Sequence, residues 1–226
     1  MCGQTESKMN FKKTSYKSYT RHLSNITRNT YENFSSKYAE MWEWNKKTQK
    51  SIIKTGIVPF SKFCKKRGKV LIAGCGTGRD YQILSEKDFS CLGIDYSQSM
   101  INEALKRTKG KFLKADIKDF SAKSKSDGIY CESALTHLSK SDTKKVLSNF
   151  FNNLVDKGIL YVAVKIGDPG IYVSNDIGGK RYFMIYDKND FCNLLNEKGF
   201  KIIKTMISNH TDSSRPKWLS IVAKKV

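Results

Sequence analysis

From Lys69 onward, short apolar runs alternate with amphipathic segments along the chain. Short apolar runs are typical of buried strands, and an amphipathic segment between two of them is typical of a helix that packs on a sheet. Because a strand, a helix and a second strand usually form a parallel unit, this alternation predicts a largely parallel sheet. The pattern therefore restricts this part of the chain to the α/β class.

The apolar runs that we predict to be strands fall into two groups. Helices separate the earlier runs, whereas the last two follow each other without a helix between them. Two consecutive strands suit an antiparallel pair, which we place at the edge of the sheet. The seven predicted strands are 70–73, 91–94, 111–115, 128–131, 159–164, 201–206 and 218–223.

The residues before the predicted sheet have a different character. Residues 1–13 are polar enough to be predicted as a disordered tail, and the apolar spacing over 14–68 predicts helices, with a late break or kink at Pro59. A chain of 226 residues can bury one sizeable core. We therefore expect one α/β domain over 69–226, preceded by an N-terminal helical cap.

The chain is strongly basic, with a formal net charge of +20. Up to Lys69 it contains 16 Lys and Arg but only 4 Asp and Glu, and aromatic residues such as Tyr31, Tyr38 and Trp42 interleave with them. This combination is compatible with a nucleic-acid partner. Amphipathic helices whose aromatic side chains pack over a site produce the same composition, and we favour this second interpretation.

Several other classes of protein are not indicated by the sequence. The six cysteines form no C-x-x-C pair and the three histidines lack metal-ligand spacing, so we expect free thiols and no metal. No stretch approaches the roughly 18 apolar residues of a membrane helix, and the N-terminus lacks the apolar core of a signal peptide. We therefore expect a soluble, cytoplasmic protein without a membrane partner.

The glycine-rich loop Gly74-Cys75-Gly76-Thr77-Gly78 lies between a predicted buried strand and the helix after it. Glycines at this place let the backbone turn tightly and approach a ligand. The spacing differs from the dinucleotide pattern G-x-G-x-x-G, because the third glycine comes one position early and Arg79 occupies the expected place. The loop alone predicts a nucleotide-like ligand, although a turn without a ligand can use the same residues.

Two acidic residues follow the next two predicted strands. Asp95 ends the second strand, 17 residues beyond Gly78, where a carboxylate can accept hydrogen bonds from both hydroxyls of a ribose. Asp116 follows the third strand, where it can accept from an adenine amino group while Ile117 packs on the ring. Each of these residues alone is also compatible with an ordinary turn.

Four segments together resemble motifs I to IV of class I S-adenosylmethionine-dependent methyltransferases of the type 11/25 kind. The segments are VLIAGCGTGRD, GIDYSQSM, KADI and GIYCESALTHL, in this order and spacing. The resemblance covers residues 69–167, and extends more loosely to the segments GGKRYF and KWLSIVAKK. It implies S-adenosyl-L-methionine as cofactor and a Rossmann-like, seven-stranded, mostly parallel sheet with an antiparallel edge strand and helices on both faces.

The resemblance also implies a role for each matching residue. The loop residues Gly74, Cys75, Gly76 and Gly78 would surround the methionine portion of the cofactor, and Asp95 would bind the ribose. The adenine would contact Tyr96, Met100, Asp116, Ile117 and the backbone carbonyl of Cys131. Similar enzymes commonly have an acidic residue two positions before the first glycine, where this chain has Ile72. This chain therefore lacks one acidic contact to the cofactor that the resemblance implies at this position.

Methyl transfer from a sulfonium needs mainly alignment of the acceptor, with a base where a proton must leave. His137, beyond the fourth strand, is the first candidate for that base, although a histidine bonded to the backbone at a helix start is an equal alternative. Glu132 could orient a cationic or hydroxylated acceptor, or be solvated. Tyr182 follows the glycine-rich stretch after the fifth strand, where acceptor-facing segments often lie in similar enzymes.

The function that we predict is methyl transfer to an oxygen or nitrogen of a small-molecule acceptor, because the sequence adds only a short cap to the core. A tRNA or rRNA methyltransferase is the alternative that the basic N-terminal region supports. A cofactor-binding regulatory protein without catalysis is a further alternative, since a fold does not establish a function.

Overall fold

The computed structural model describes residues 13–208 and 216–226, and within them the chain forms a sheet of nine strands. Most of the predicted tail, residues 1–12, lies outside the described residues. The strands are β1 (Lys69–Ala73), β2 (Ser90–Asp95), β3 (Phe112–Lys114), β4 (Ser126–Glu132), β5 (Leu154–Ile166), β6 (Gly170–Ser174), β7 (Arg181–Tyr186), β8 (Phe200–Ser208) and β9 (Lys217–Lys225).

The sheet is mostly parallel, as the alternation predicts. Strand β1 pairs in parallel with β2 and β4, β2 pairs with β3, and β4 pairs with β5. The last two predicted strands form an antiparallel pair, β8 with β9, and β9 also runs antiparallel to β5. The Rossmann-like α/β class is therefore confirmed. This antiparallel pair lies at an edge of the sheet, as predicted, with β8 outermost and β9 between β5 and β8.

The predicted count of seven strands is too low, because the glycine-rich stretch after β5 contains the hairpin β6–β7. Strands β4 and β9 both pair with β5 around residues 159–163, so they occupy its two opposite edges. At Lys165 and Ile166, β5 pairs with β9 on one edge and with β7 on the other. The hairpin therefore lies beyond the end of β4, at the carboxyl end of the parallel strands.

Helices cover both faces of the sheet, as predicted. They are α5 (Arg79–Ser85), α6 (Gln98–Arg107), α7 (Lys140–Asn153) and α8 (Lys188–Glu197), preceded in the chain by α1 (Lys13–Asn33), α2 (Ser35–Tyr38), α3 (Lys46–Ile52) and α4 (Val58–Phe63). Ser97 caps α6 as predicted, by accepting a hydrogen bond from the amide of Met100, but the helix ends three residues before the predicted stop at Gly110. Asp187 caps α8, also as predicted.

Alternate residues of β1 divide the apolar core between the two faces. Leu71 packs with residues of α7 and α8, whereas Val70 and Ile72 pack with residues of α4, α5 and α6. Because successive side chains of a strand point to opposite faces, a continuous apolar run such as β1 is buried on both sides.

The N-terminal residues are helical from α1 to α4, as the spacing predicts. Two single π-helical turns, Ala39–Glu43 and Ile53–Ile57, interrupt the succession of α-helices. Pro59 lies at the start of α4, directly after the second π-helical turn. Phe60 of α4 packs in the core, while α1 contacts β7 and α6. Within the described residues, no helix has the length and apolarity needed to cross a bilayer.

Candidate functional site

A cavity of about 610 Å³ lies between the carboxyl ends of the parallel strands and the N-terminal helices. Core residues that line it include Gly74, Gly76, Asp95, Tyr96, Met100, Asp116, Ile117, Glu132 and His137. Residues of the N-terminal helices that line it include Arg28, Tyr31, Tyr38, Trp42 and Glu43. The hairpin contributes Tyr172, Asp176, Arg181 and Phe183. Most of the residues that the sequence singled out are thus brought to one place.

The glycine loop needs its glycines for two different reasons. Gly74, Gly76 and Gly78 all have φ in the left-handed region, at 74°, 53° and 91°. A Cβ at Gly74 would lie 2.5 Å from the Cβ of Ala134, and one at Gly76 would lie 2.4 Å from an oxygen of Glu43. The backbone therefore follows a path that only glycine adopts readily, and it leaves no room for side chains.

Asp95 lies at the end of β2 with both carboxylate oxygens already hydrogen-bonded. Its Oδ2 accepts from the amide of Gly76 at 3.0 Å, and its Oδ1 accepts from the amide of Ser97 at 2.9 Å. Burial raises the pKa of this carboxyl to about 6, although both amides lower it. Asp95 thus connects the glycine loop to the start of α6, and it lines the cavity.

Four of the five residues predicted to contact adenine line the cavity, and a residue of α1 contacts two of them. Tyr96, Met100, Asp116 and Ile117 all line the cavity. The guanidinium of Arg28, from α1, lies 4.7 Å from the ring centre of Tyr96 and forms an ion pair with Asp116. The part of the cavity predicted for adenine is thus contacted by a cation of the cap.

Three residues that the resemblance assigned to the cofactor do not line the cavity. Cys75 and Cys131 are buried in the core, 2% and 0% exposed, and Gly78 packs against Ala104 of α6. Gly78 is also the N-cap residue of helix α5. The positions of Cys75, Gly78 and Cys131 are compatible with a role in shaping the loop and the strand end, and a direct contact to the cofactor remains a prediction.

Glu43 belongs to the site, although no local sequence pattern indicated it. It is 5% exposed, and its Oε2 accepts hydrogen bonds from the amide of Thr77 at 2.8 Å and from the Thr77 hydroxyl. Burial raises the pKa of this carboxyl to about 7, against the opposing effect of Arg79. A buried acid from the cap therefore contacts the glycine loop.

His137 is held by hydrogen bonds on both ring nitrogens. Its Nδ1 lies 2.6 Å from the carbonyl oxygen of Tyr182 and its Nε2 lies 2.8 Å from the hydroxyl of Tyr31. Since the carbonyl can only accept, Nδ1 carries the proton and Nε2 accepts from Tyr31. Burial, together with Arg181 and Lys165, lowers the pKa of His137 to about 3. His137 is thus a neutral imidazole in the cavity wall.

Glu132 is the last residue of β4 and lines the cavity. Its carboxylate accepts from the hydroxyl of Tyr161 at 2.6 Å and from that of Ser133 at 3.0 Å. Burial and the nearby Asp80 raise its pKa. Both hydroxyls fix the orientation of Glu132, which accordingly is not a solvated surface acid.

Tyr182 does not line the cavity with its side chain. Because successive residues of a strand point to opposite sides, its neighbours Arg181 and Phe183 face the cavity in its place. Only the backbone of Tyr182 reaches the site, where its carbonyl accepts from His137 and its amide donates to Thr27 at 3.0 Å. The expectation of a catalytic Tyr182 side chain therefore finds no support in its position.

The hairpin end of the cavity combines buried cations with aromatic rings. The ammonium of Lys165 lies 4.2 Å from the ring centre of Trp218 and 5.3 Å from that of Phe183. Arg181 contacts the rings of Tyr31 and Phe183, and its guanidinium pairs with Asp176 at 2.5 Å. This end is suited to a flat organic molecule. Among the described residues, no group of three His, Cys, Asp or Glu is arranged to hold a metal ion.

The fold and the site define an α/β protein with a ligand cavity at the carboxyl ends of its parallel strands. The glycine loop and the carboxylate of Asp95 line this cavity. Residues 70–158 match a family model described as a methyltransferase domain. This match agrees with the resemblance to class I methyltransferases found in the motifs.

A sequence relative agrees with this assignment. The Bacillus subtilis (strain 168) protein YqeM, provisionally named a methyltransferase, is 27% identical over 143 residues, which make up 58% of this chain and 53% of that protein. The matched part thus spans about half the length of this relative.

Solved structures share the fold at low sequence identity. Magnesium protoporphyrin IX methyltransferase from Synechocystis, determined with bound SAM, has a TM-score of 0.69 and 16% identity, with 90% of this chain and 97% of that chain covered. The 1,6-didemethyltoxoflavin-N1-methyltransferase of Burkholderia thailandensis, determined with S-adenosylhomocysteine, has a TM-score of 0.62 and 14% identity, with 98% of this chain and 93% of that chain covered.

Proposed function

We propose that this chain is an S-adenosylmethionine-dependent methyltransferase that methylates an oxygen or nitrogen of a small molecule. The observation that carries this proposal is the cavity, which extends from the glycine loop to the hairpin beneath the N-terminal helices. Its volume of about 610 Å³ is within the usual range for small-molecule and cofactor sites, about 300–1,000 Å³. We also propose that residues 14–68 act as the cap of the domain over 69–226.

The lining residues fit S-adenosyl-L-methionine. The methionine portion would lie beside Gly74 and Gly76, which line the cavity, and the ribose hydroxyls would donate to Asp95. The buried hydroxyl of Tyr96 has no hydrogen-bond partner among the described residues, so a ligand can satisfy it. In support of this cofactor, the two similar structures were determined with SAM and with S-adenosylhomocysteine.

When bound, S-adenosylmethionine supplies a methyl group that is already electrophilic, so the protein's tasks are alignment and exclusion of water. The cap helices and the hairpin close over the cavity and perform the second task. His137, whose lowered pKa makes it a weak base and whose Nε2 accepts from Tyr31, would orient the Tyr31 hydroxyl in the cavity. Glu132, oriented by Tyr161, is a candidate for binding a donor group of that molecule.

Two neighbours with the same fold support a small acceptor. Their names specify methylation of magnesium protoporphyrin IX and of 1,6-didemethyltoxoflavin, and the hairpin end of this cavity offers the rings of Tyr172, Phe183 and Trp218 to a flat molecule. The RNA alternative has less support. Tyr31 and Tyr38, which could have stacked on bases at the surface, line the cavity instead.

The direct test is incubation of the protein with methyl-labelled S-adenosylmethionine and fractionated cell extract. We expect the label in the small-metabolite fraction, with a yield that depends little on salt. Label in RNA that declines steeply as salt increases would favour the RNA alternative. Tight cofactor binding without transfer to any fraction would support the non-catalytic alternative.

A further inference from the structure

The first strand provides no acid to the glycine loop. Ile72 occupies the position two residues before Gly74, and its side chain is 1% exposed within the apolar cluster formed with Phe60 and Tyr130. A substituted acid at this position would have to enter an apolar core. A polar contact to a ligand on the loop must therefore come from another part of the chain.

Glu43 contacts the loop from the N-terminal helices and not from the first strand. It ends the π-helical turn Ala39–Glu43, and the next residue, Trp44, donates from its indole nitrogen to the hydroxyl of Thr77 at 3.0 Å. Glu43 itself accepts from the amide and hydroxyl of Thr77. One carboxylate oxygen, Oε1, lies 2.4 Å from the place of a Cβ at Gly76, so it stands directly over the loop that lines the cavity.

The charges around Glu43 favour a cationic ligand. Arg79 is the nearest buried cation, but both of its side-chain hydrogen bonds go to Asp80, at 2.8 and 2.9 Å. Within the described ranges Glu43 forms no ion pair, and the donors that it accepts from belong to the neutral Thr77. A buried carboxylate with only neutral donors is stabilised by a positive group placed beside it.

We propose that Glu43 binds the α-ammonium group of the amino-acid portion of the cofactor, in place of the acid that position 72 lacks. This inference rests on the proposed function, since it places the cofactor's amino acid on Gly74 and Gly76. It makes the cap part of the cofactor site. The alternative is that Glu43 only braces the loop through Thr77, without touching the ligand.

Two ligands separate these possibilities. S-adenosylhomocysteine carries the α-ammonium group but no sulfonium, whereas 5′-methylthioadenosine has the same adenosine and sulfur but no amino-acid portion. The variant Glu43→Gln removes the negative charge and keeps an oxygen that accepts from Thr77. The matched control is Glu40→Gln, in the same turn and exposed to solvent. Affinities are measured by calorimetry on the full chain.

We expect Glu43→Gln to weaken the binding of S-adenosylhomocysteine at least tenfold and to change the affinity for 5′-methylthioadenosine less than twofold. Glu40→Gln should bind both ligands as the wild type does. Equal weakening of both ligands shows a bracing role and overturns the inference, as does unchanged affinity for S-adenosylhomocysteine. Failure of the wild type to bind either ligand would instead contradict the proposed function itself.

A second measurement needs no variant. Burial raises the pKa of Glu43 to about 7, so its charge increases between pH 5.5 and 7. We expect the affinity of the wild type for S-adenosylhomocysteine to rise over this range more than its affinity for 5′-methylthioadenosine. The ratio of the two affinities removes the contribution of Asp95, which faces the ribose of both ligands. A constant ratio contradicts the inference. The other titratable groups around Glu43 are Tyr31, Tyr38, Cys75, Arg79 and Asp80.

Discussion

The hydroxyl of Tyr31, on the first helix of the cap, lies 2.8 Å from Nε2 of His137, beyond the fourth strand of the core. The cap and the core thus share a hydrogen bond inside the cavity. Nδ1 of His137 is occupied by the carbonyl of Tyr182, so the imidazole is fixed in one tautomer. A neutral imidazole in this position links the pH dependence of folding to the structure of the site.

His137 should make the protein sensitive to acid. Its pKa is lowered to about 3 from the usual 6.5, so between these values the folded state binds fewer protons than the unfolded state. The stability is present above pH 6.5 and is lost as the pH decreases. Urea unfolding at pH 7.5 and 5.0 should show a smaller loss for His137→Gln than for wild type, by roughly 1 to 2 kcal/mol.

The exposed His22 provides the control, since His22→Gln should behave as the wild type does. An equal loss of stability in His137→Gln and wild type would contradict the neutral, buried imidazole.

Asp95 should determine the affinity for the cofactor. Replacement by Ala removes the acceptor for the ribose hydroxyls, and we expect calorimetry to show at least a tenfold weaker binding of S-adenosylhomocysteine, about 1.4 kcal/mol. Asp168→Ala, in the exposed turn after β5, is the control and should bind normally. Wild-type affinity of the Asp95→Ala protein would remove this residue from the cofactor site.

Gly76 should tolerate no side chain. A Cβ there would meet an oxygen of Glu43 at 2.4 Å, and the φ of 53° costs a non-glycine residue roughly 1 to 2 kcal/mol. Gly76→Ala should lose cofactor binding and lower the melting temperature. Gly170→Ala, where the nearest atom is 4.0 Å away, should do neither. Normal binding by Gly76→Ala would mean that the ligand does not approach the loop backbone.

Arg28 should compete with adenine for its place. Its guanidinium contacts the ring of Tyr96 and pairs with Asp116, and both residues are predicted to contact the base. We therefore expect S-adenosylhomocysteine to associate with the Arg28→Ala variant at a higher rate than with the wild type, as measured by stopped-flow fluorescence. The exposed Arg21 of the same helix gives the control Arg21→Ala, which should show the wild-type rate. Slower binding by Arg28→Ala would show that this arginine assists the ligand.

The sequence predicted the parts of the site that depend on local pattern. The glycine loop, Asp95 and Asp116 each follow a strand, and the parallel order of the strands brings their carboxyl ends together, so short segments sufficed to place them. Glu43 was missed because its position depends on a π-helical turn and on how the cap packs over the loop, 34 residues away. No short-range pattern carries that information.

The hairpin β6–β7 was missed for a different reason. The glycines of this segment, among them Gly178 and Gly179, indicated a loop, although residues 182–186 form an apolar and aromatic run that is typical of a strand. The burial of β7, from Arg181 to Tyr186, comes from the neighbouring elements. Because the strand was not predicted, the sequence did not indicate which of its side chains face the cavity. The prediction selected Tyr182, whereas Arg181 and Phe183 face the cavity.

The proposed function requires this cavity to bind S-adenosylmethionine at the glycine loop. Calorimetric titration of the wild-type chain with S-adenosylhomocysteine, with NAD as the comparison ligand, tests it most directly. We predict one-to-one binding of S-adenosylhomocysteine and no detectable heat of binding for NAD. Binding of NAD, or no binding of S-adenosylhomocysteine, would contradict the account.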